Sequence, residues 1–265
     1  MLSELDPIFI DTPSGQDVKI YPIADLHYGS MQFNGERWNN FVKVISEEQN
    51  SYIIVAGDLI DNGTKSALTN CFDATCRPAE QKRWVAEQLK PLKDRILCVV
   101  SGNHESRNKD VDDLPLYDVC AKLDIEDRFR ENGCFLAVRM GGNEKDRHSA
   151  SSVKRPTYMF CVTHGAGGGM YIGSALNRNE RYITAMENVD VLVTGHTHKP
   201  AVICGSKLCF DVRNGRVVEK KFYSVVASSW LNYGGYAMKK MYTPVGQTLT
   251  EITLRGYKKD IRVTM

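Results

Sequence analysis

Residues Val191–Pro200 read VLVTGHTHKP, an apolar run that stops on Gly-His-Thr-His. The run up to Thr194 is rich in β-branched residues and predicts a short buried strand. His196 and His198 follow directly, although the chain has only 6 histidines among its 265 residues. Ligands of open α/β sheets gather beyond the carboxyl ends of the strands, so the two histidines are placed where a site would form.

Four other strand-like runs also stop on residues that can bind a metal. In chain order, the polar residues after VKIYPI, SYIIVA, RILCVV and YMFCVT include Asp25 and His27, Asp58, Asn103 and His104, and His164. A lone histidine after a strand is more often a hydrogen-bonded structural residue than a ligand. Here five of the 6 histidines follow strands, and only His148 does not. Because chance placement explains this set poorly, we expect the five strand ends to converge on one site.

The segments between the early strands have the apolar spacing of helices. ERWNNFVKVISEE and AEQKRWVAEQLKPL are amphipathic, and DDLPLYDVCAKL predicts a third, shorter helix. This alternation indicates a sheet covered by helices. After residue 130, GCFLAVRM and PTYMFCVTH predict a hairpin with a polar tip, and a helix from about residue 174 to 187 precedes the opening stretch.

Composition restricts the class of protein. A charged fraction of 25% with a net charge of +2 lacks the basic excess of proteins dominated by polyanion binding, so nucleic acid is neither required nor excluded. No signal peptide and no apolar run of about 20 residues is present, which predicts a cytoplasmic protein without a membrane partner. The 8 cysteines are then expected to be free thiols. The pairs Cys71/Cys76 and Cys204/Cys209 leave a zinc ribbon open as an alternative.

The donor atoms at the strand ends indicate the kind of metal. Carboxylates, an amide oxygen and several imidazoles form a mixed oxygen and nitrogen set, which suits Mn, Fe, Zn, Co or Ni better than Ca or Mg. The set exceeds the needs of one tetrahedral zinc. Two ions sharing a carboxylate would use all of the donors and would suit displacement at phosphorus.

The ordered blocks D-x-H, G-D-x-x-D, G-N-H-E, H and G-H-x-H, from Asp25 to His198, resemble the calcineurin-like metallophosphoesterase superfamily. The resemblance implies an α/β fold, a four-layer α/β/β/α sandwich of two mixed β-sheets flanked by helices. It implies one domain over residues 1–265, with a motif-bearing core at about 18–200 and a strand-rich part, 201–265, that completes the second sheet.

The resemblance also implies two divalent metal ions, with Mn expected first and Fe, Zn, Ni or Co as alternatives. One ion would be held by Asp25, His27, Asp58 and His198. The other would be held by Asp58, Asn103, His164 and His196. The implied activity is hydrolysis of phosphate esters by a hydroxide that bridges the two ions.

His104 resembles the general acid of the family, which protonates the leaving oxygen. Asp61 stands where the phosphoprotein-phosphatase branch keeps the acid that orients this histidine, so we predict an Asp61–His104 pair. Glu105 is the second candidate for the partner. A structural role for Asp61 as a cap of the next segment stays open.

The expected substrate depends on Asn62, because the phosphoprotein-phosphatase branch has an arginine there to grip a phosphate dianion. Without that clamp a phosphodiester of a nucleotide or nucleic acid is favoured, with a phosphomonoesterase or phosphoprotein-phosphatase-like enzyme as the alternative. Arg107 and Arg178 are candidate substrate-binding residues, although each could be a solvated charge. A non-catalytic metal-binding scaffold and a subunit of a nuclease complex remain the alternatives from other classes. The oligomeric state is not predicted.

Overall fold

The computed structural model describes residues 3–13, 15–63, 73–107, 113–141, 156–169 and 171–265. Within these ranges the strands are β1 Ile8–Thr12, β2 Val18–Ile23, β3 Ser51–Ala56, β4 Ile96–Val100, β5 Phe129–Arg130, β6 Gly133–Met140, β7 Thr157–Thr163, β8 Val191–Thr194, β9 Ala201–Asp211, β10 Arg216–Val226, β11 Glu251–Leu254 and β12 Ile261–Thr264. The helices are α1 Gly35–Glu47, α2 Pro78–Leu89, α3 Pro115–Lys122, α4 Ile172–Thr184 and α5 Gly235–Lys239.

The strands form two six-stranded sheets, and both sheets are mixed. The first has the order β1-β6-β7-β8-β10-β9, in which β7, β8 and β10 run parallel and β9 is antiparallel to β10. The second has the order β12-β11-β2-β3-β4-β5, in which β2 to β5 run parallel. Parallel neighbours bring their carboxyl ends to one edge of each sheet.

Three apolar clusters stack the elements into layers. Side chains such as Ile20 and Ile54 of the second sheet meet Phe160 and Val193 of the first sheet between the two sheets. The other face of the second sheet packs on α1, α2 and α3, and Ile183 of α4 packs on the other face of the first sheet. Because the second sheet is covered on both faces, its strands β3 and β4 are almost continuously apolar. The four-layer α/β/β/α sandwich of two mixed sheets is therefore confirmed.

Several details differ from the sequence-based expectation. The strands of residues 201–265 do not all complete one sheet, because β9 and β10 extend the first sheet while β11 and β12 extend the second. The helix expected at 174–187 runs from Ile172 to Thr184. The strands β6 and β7 form the expected antiparallel hairpin. The polar tip with His148 lies outside the described residues.

The cysteines of the described chain are free thiols. Cys204 and Cys209 both belong to β9, where residues five apart lie on opposite faces, so this pair does not form half of a zinc ribbon. Cys71 of the other pair lies outside the described residues. None of the helices in the described ranges has the length and apolar character needed to span a membrane.

The C-terminal hairpin of β11 and β12 is tied to the first sheet by Tyr158 of β7. This side chain is fully buried, and its hydroxyl lies 2.7 Å from the carbonyl oxygen of Arg255 and 3.0 Å from that of Lys258. The same hydroxyl accepts a hydrogen bond from the backbone N–H of Asp260 at 3.1 Å. One phenol hydroxyl thus contacts three backbone groups of the turn between the two strands.

We expect Tyr158→Phe to lower the free energy of unfolding by about 1–3 kcal/mol, because it removes a hydroxyl that donates one hydrogen bond to the backbone of the turn and accepts another from it. The measurement is urea denaturation. The matched control is Tyr257→Phe in the same turn, where the side chain is 66% exposed and the expected change is within about 0.5 kcal/mol. Equal effects of the two substitutions would contradict the anchoring role.

Candidate metal centre

The polar residues that follow β2, β3, β4, β7 and β8 meet at the carboxyl ends of these strands. Their ligand atoms form three overlapping groups in which all atoms lie within 4.8 Å of one another. The groups are Asp25, His27 and His198; Asp58, His164 and His196; and His27, Asp58 and His104. The structure therefore brings together the side chains that the sequence analysis singled out, from positions up to 173 residues apart along the chain.

In the group of Asp25, His27 and His198, two imidazole nitrogens and a carboxylate oxygen face one another. Nε2 of His27 lies 3.1 Å from Nε2 of His198, which is 3.4 Å from Oδ1 of Asp25. Asp25 and His27 are buried, and Nδ1 of His27 has no hydrogen-bond partner within the described part of the chain. Two imidazole nitrogens and a carboxylate facing one another fit a divalent cation of the borderline class.

The second group has the same character and includes an amide. Nε2 of His164 lies 3.2 Å from Oδ2 of Asp58 and 3.0 Å from Oδ1 of Asn103. Nδ1 of His196 lies 2.7 Å from the same amide oxygen. Nδ1 of His164 faces the carbonyl oxygen of Ala56 at 2.7 Å, so Nδ1 carries a proton, and Nε2 is the nitrogen that would bind a metal once the metal displaces its own proton. This orienting contact is made by backbone and has no signal in the sequence.

Asp58 lies between the two groups. Its Oδ2 is 3.2 Å from His164 and 3.8 Å from Nε2 of His27, so one carboxylate faces both sets of imidazoles. A carboxylate shared by two cations would occupy this position. The donor set and the arrangement of these side chains fit two ions.

The electrostatics of the cluster keep its carboxylates ionised. Burial alone would raise the pKa of Asp25 and of Asp58, but the surrounding imidazoles outweigh it. His198 contributes most to lowering the pKa of Asp25, and His164 does so for Asp58, so both values lie below the ordinary range. Buried, ionised carboxylates are the form in which a cation binds.

Five of the seven predicted ligands adopt a left-handed backbone conformation. The φ angles are +53° at Asp25, +47° at His27, +54° at Asp58, +69° at His196 and +59° at His198. Non-glycine residues rarely adopt this region, and each instance costs about 1–3 kcal/mol. The sharp turns point successive side chains back towards the cluster. Half of the ten non-glycine residues with positive φ in the described chain are therefore predicted ligands at strand ends.

A buried carboxylate holds two of these strand ends together. Glu105 accepts hydrogen bonds from the backbone N–H groups of Asp58, Leu59, Ile60 and Gly102, at 2.8 to 3.2 Å. Burial, followed by the charge of Asp58, raises the pKa of Glu105. Its oxygens are turned to the backbone after β3 and β4. Glu105 thus supports the loops, and the structure does not place its carboxylate against His104, for which it was the second candidate partner.

His104 lies beside the cluster, and its closest contact with Asp61 is to backbone. Nδ1 of His104 is 2.7 Å from the carbonyl oxygen of Asp61, whereas the carboxylate Oδ1 is 3.6 Å away. Asp61 and His104 are neighbours, as predicted. The hydrogen bond to the ring is made by the backbone carbonyl of Asp61, because this oxygen lies closer to Nδ1 than the carboxylate does. Asn62 donates from Nδ2 to the carbonyl of His104 at 2.7 Å.

Arg107 makes the other contact of the His104 ring. Its Nη2 lies 2.8 Å from Nε2 of His104, and its Nη1 donates to the carbonyl of Asp61 at 2.8 Å. Burial lowers the pKa of His104 to about 3, and the charges of His27 and Arg107 act in the same direction. Without metal the ring is neutral, with its proton on the Nδ1 that faces the carbonyl and its Nε2 accepting from Arg107.

The candidate substrate-binding residues differ in position. Arg107 touches His104, as described, whereas Arg178 of α4 is exposed and donates from Nη1 to the carbonyl of Ala166, two residues after His164. Asn62 is fully buried, and its backbone N–H donates to Oε1 of Gln81 at 2.9 Å. The side chain at the position where an arginine clamp was expected is therefore buried, and among the described arginines Arg107 contacts His104 directly.

Comparison with known proteins gives low identities to solved structures. A predicted phosphoesterase from Streptococcus pneumoniae is 11% identical, with 94% of this chain and 98% of that chain covered and a TM-score of 0.36. A putative 5'-nucleotidase from Staphylococcus aureus is 11% identical, with coverages of 94% and 53% and a TM-score of 0.44. Vps29 from Chaetomium thermophilum is 14% identical, with coverages of 93% and 95% and a TM-score of 0.39.

A search among curated protein sequences found no match. The family model of calcineurin-like phosphoesterases, however, matches residues 18–200, which is more than half of the chain. This range begins with β2 and includes the turn after β8, so it contains all five strand ends that form the cluster. The protein therefore belongs to the calcineurin-like phosphoesterase family.

Proposed function

We propose that residues 1–265 act as one domain, a dinuclear metal-dependent phosphoesterase that prefers phosphodiesters of nucleotides or nucleic acids. The observation that carries the proposal is the position of Asp58, whose Oδ2 lies 3.2 Å from Nε2 of His164 and 3.8 Å from Nε2 of His27 and so faces both ligand groups. One ion would be bound by Asp25, His27, Asp58 and His198, and the other by Asp58, Asn103, His164 and His196. Mn is the first choice for both. The free thiols of the described residues support a cytoplasmic location.

The bound cations would supply an acidified water and neutralise charge on the phosphoryl oxygens. The chain's own contribution is to position groups around the ester. His104 is the proposed proton donor to the leaving oxygen, a role for which its Nε2 must gain a proton when the anionic ester takes the place of Arg107 beside it, while the carbonyl of Asp61 holds Nδ1. Arg107 is the proposed phosphate contact, because its guanidinium is beside His104 and can exchange that neighbour for a phosphoryl oxygen.

The preference for diesters is supported by the environment of Asn62. The side chain is buried and committed to the backbone of His104, so it supplies no second charge for a phosphate dianion. A diester carries a single negative charge and is served by one guanidinium and the metal ions. A nucleic-acid or nucleotide substrate would satisfy this requirement.

Asp58→Asn is expected to abolish tight binding of two Mn ions per chain, because it removes the carboxylate shared by both groups. Elemental analysis after loading and dialysis measures the stoichiometry, and the Mn-dependent rise in melting temperature should shrink with it. The matched control is Asp124→Asn, because 87% of the Asp124 side chain is exposed. Retention of two ions by Asp58→Asn with unchanged affinity would contradict the proposed centre.

His104→Gln is expected to lower kcat by about 10²–10⁴ on a dinucleotide, whose alkoxide leaving group needs a proton. The loss should be smaller on bis-p-nitrophenyl phosphate, whose leaving group departs without one. Metal content should stay at the wild-type level. His148→Gln, outside the strand-end motifs, is the control. An equal loss on both esters would argue against proton donation, and a metal-loaded wild type without turnover of any ester would overturn the enzyme itself.

The wild-type enzyme is expected to have a higher kcat/KM for bis-p-nitrophenyl phosphate than for p-nitrophenyl phosphate. Arg107→Gln should lower kcat/KM by roughly tenfold or more, as expected for a lost charge-assisted contact. Arg178→Gln, with its guanidinium on the carbonyl of Ala166, should change it by less than about threefold. A preference for the monoester would contradict the diester proposal, and a larger effect at Arg178 would transfer the phosphate contact to that residue.

A further inference from the structure

His27 is a predicted ligand whose second ring nitrogen lacks an acceptor. Its Nε2 lies 3.1 Å from Nε2 of His198 and 3.8 Å from Oδ1 of Asp25, so this nitrogen faces the cluster. Nδ1, on the other side of the ring, is buried and has no hydrogen-bond partner among the described residues. A histidine that binds a metal through one nitrogen almost always donates the N–H of the other to a carboxylate, a carbonyl or water. For His164 the carbonyl of Ala56 has this role, whereas for His27 the acceptor is missing.

The carboxylate of Asp61 lies beside this nitrogen. Its Oδ1 is 4.0 Å from Nδ1 of His27, and only 13% of the Asp61 side chain is exposed. Within the described ranges, the hydrogen bonds that Asp61 accepts, from His104 and Arg107, go to its backbone carbonyl. A largely buried carboxylate without a donor therefore faces a buried ring nitrogen without an acceptor.

His104 does not require this carboxylate. The rings of His27 and His104 contact each other edge to face, with centroids 4.3 Å apart. Nδ1 of His104 is 3.6 Å from Oδ1 of Asp61 but 2.7 Å from the Asp61 carbonyl, so its one N–H is already used. An approach of about 1 Å would bring Oδ1 within hydrogen-bond distance of Nδ1 of His27. Rotation of the Asp61 side chain can provide it without breaking a hydrogen bond of the described residues.

We propose that the carboxylate of Asp61 accepts a hydrogen bond from Nδ1 of His27 when Nε2 of that ring binds a cation. Asp61 is then a positioning residue for the ion that His27 and His198 share, and its carboxylate does not serve His104. The negative charge of the acceptor makes Nε2 of His27 a stronger ligand. The backbone carbonyl of Asp61 keeps its contact with His104, so two atoms of one residue have separate tasks. The inference rests on the proposed dinuclear centre.

Substitution of the Asp61 side chain separates these tasks, because it leaves the carbonyl in place. Asp61→Ala should weaken one of the two Mn sites by roughly 10–100-fold, as expected when a metal-binding histidine loses its outer partner. Asp61→Asn should lie between Asp61→Ala and the wild type, since its amide oxygen can accept a hydrogen bond but carries no charge. Calorimetric titration of the metal-free protein with manganese chloride measures both affinities. Asp124→Ala and Asp124→Asn, at a side chain that is 87% exposed, are the matched controls and should change neither.

His198→Gln identifies the affected ion, because His198 belongs to one ligand group only. Adding Asp61→Ala to His198→Gln should leave the affinity for the remaining ion unchanged. In an Asn103→Ala background, which lacks a predicted ligand of the other ion, Asp61→Ala should keep its full effect. The opposite pattern, in which Asp61→Ala weakens the ion that remains in His198→Gln, would overturn the assignment.

The rates on two esters test the alternative role of the carboxylate. Asp61→Ala should lower the rates on a dinucleotide and on bis-p-nitrophenyl phosphate together at low Mn, and both rates should rise as Mn approaches saturation. A loss confined to the dinucleotide at every Mn concentration, with both Mn affinities at the wild-type level, would assign the carboxylate to His104 and overturn the inference.

Two further comparisons keep the outcome unambiguous. If Asp61→Ala does not fold, equal Mn affinities of Asp61→Asn and Asp124→Asn would contradict the inference, and a weaker site in Asp61→Asn would support it. A wild type that binds two Mn ions, with unchanged affinities in the Asp61 variants, overturns this inference alone. A wild type that binds fewer than two ions overturns the dinuclear centre, and the role of Asp61 with it.

Discussion

The carboxylate of Glu105 is the contact on which the site depends. It gathers four backbone N–H groups from the turns after β3 and β4, and one of these groups belongs to Asp58, the residue that faces both sets of imidazoles. A buried anion is costly unless several donors satisfy it, and here the donors come from the two loops that must be held together. The position of Asp58 is therefore fixed by a carboxylate that binds its backbone rather than its side chain.

This support is needed because the donors lie on strained backbone. Five ligand positions have positive φ, a cost of several kcal/mol in total that the rest of the fold has to offset. The apolar contacts between the two sheets, and those between each sheet and its helices, supply the compensating burial. The parallel strands deliver the residues to one edge, and the sharp turns aim them inward. Stability and ligand geometry are thus assigned to separate parts of the molecule.

Much of the site can be predicted from the sequence, because an apolar run that stops on aspartate, asparagine or histidine predicts both a strand and a metal-binding side chain at its end. The convergence of the strand ends follows from that pattern, whereas the four-layer fold is implied by the resemblance of the ordered motifs to a known family. Contacts made by backbone are not predictable in the same way. The carbonyl of Asp61 takes the contact with His104 that was expected of its carboxylate, and Glu105 turns to the backbone. The split of residues 201–265 between two sheets depends on long-range pairing, which local pattern does not encode.

Glycines at the strand ends leave no free volume behind the ligands. A side chain at Gly102 would meet Oδ1 of Asp58 at 2.1 Å, and one at Gly195 would meet Oδ2 of Asp25 at 2.8 Å. The carboxylates of Asp58 and Asp25 are consequently packed against the main chain of Gly102 and Gly195, so they cannot move away from the centre of the cluster. A cation of larger radius must then be accommodated by the opposite wall, where His198 has 35% of its side chain exposed. Size selectivity in this pocket would be set by how far that imidazole can yield.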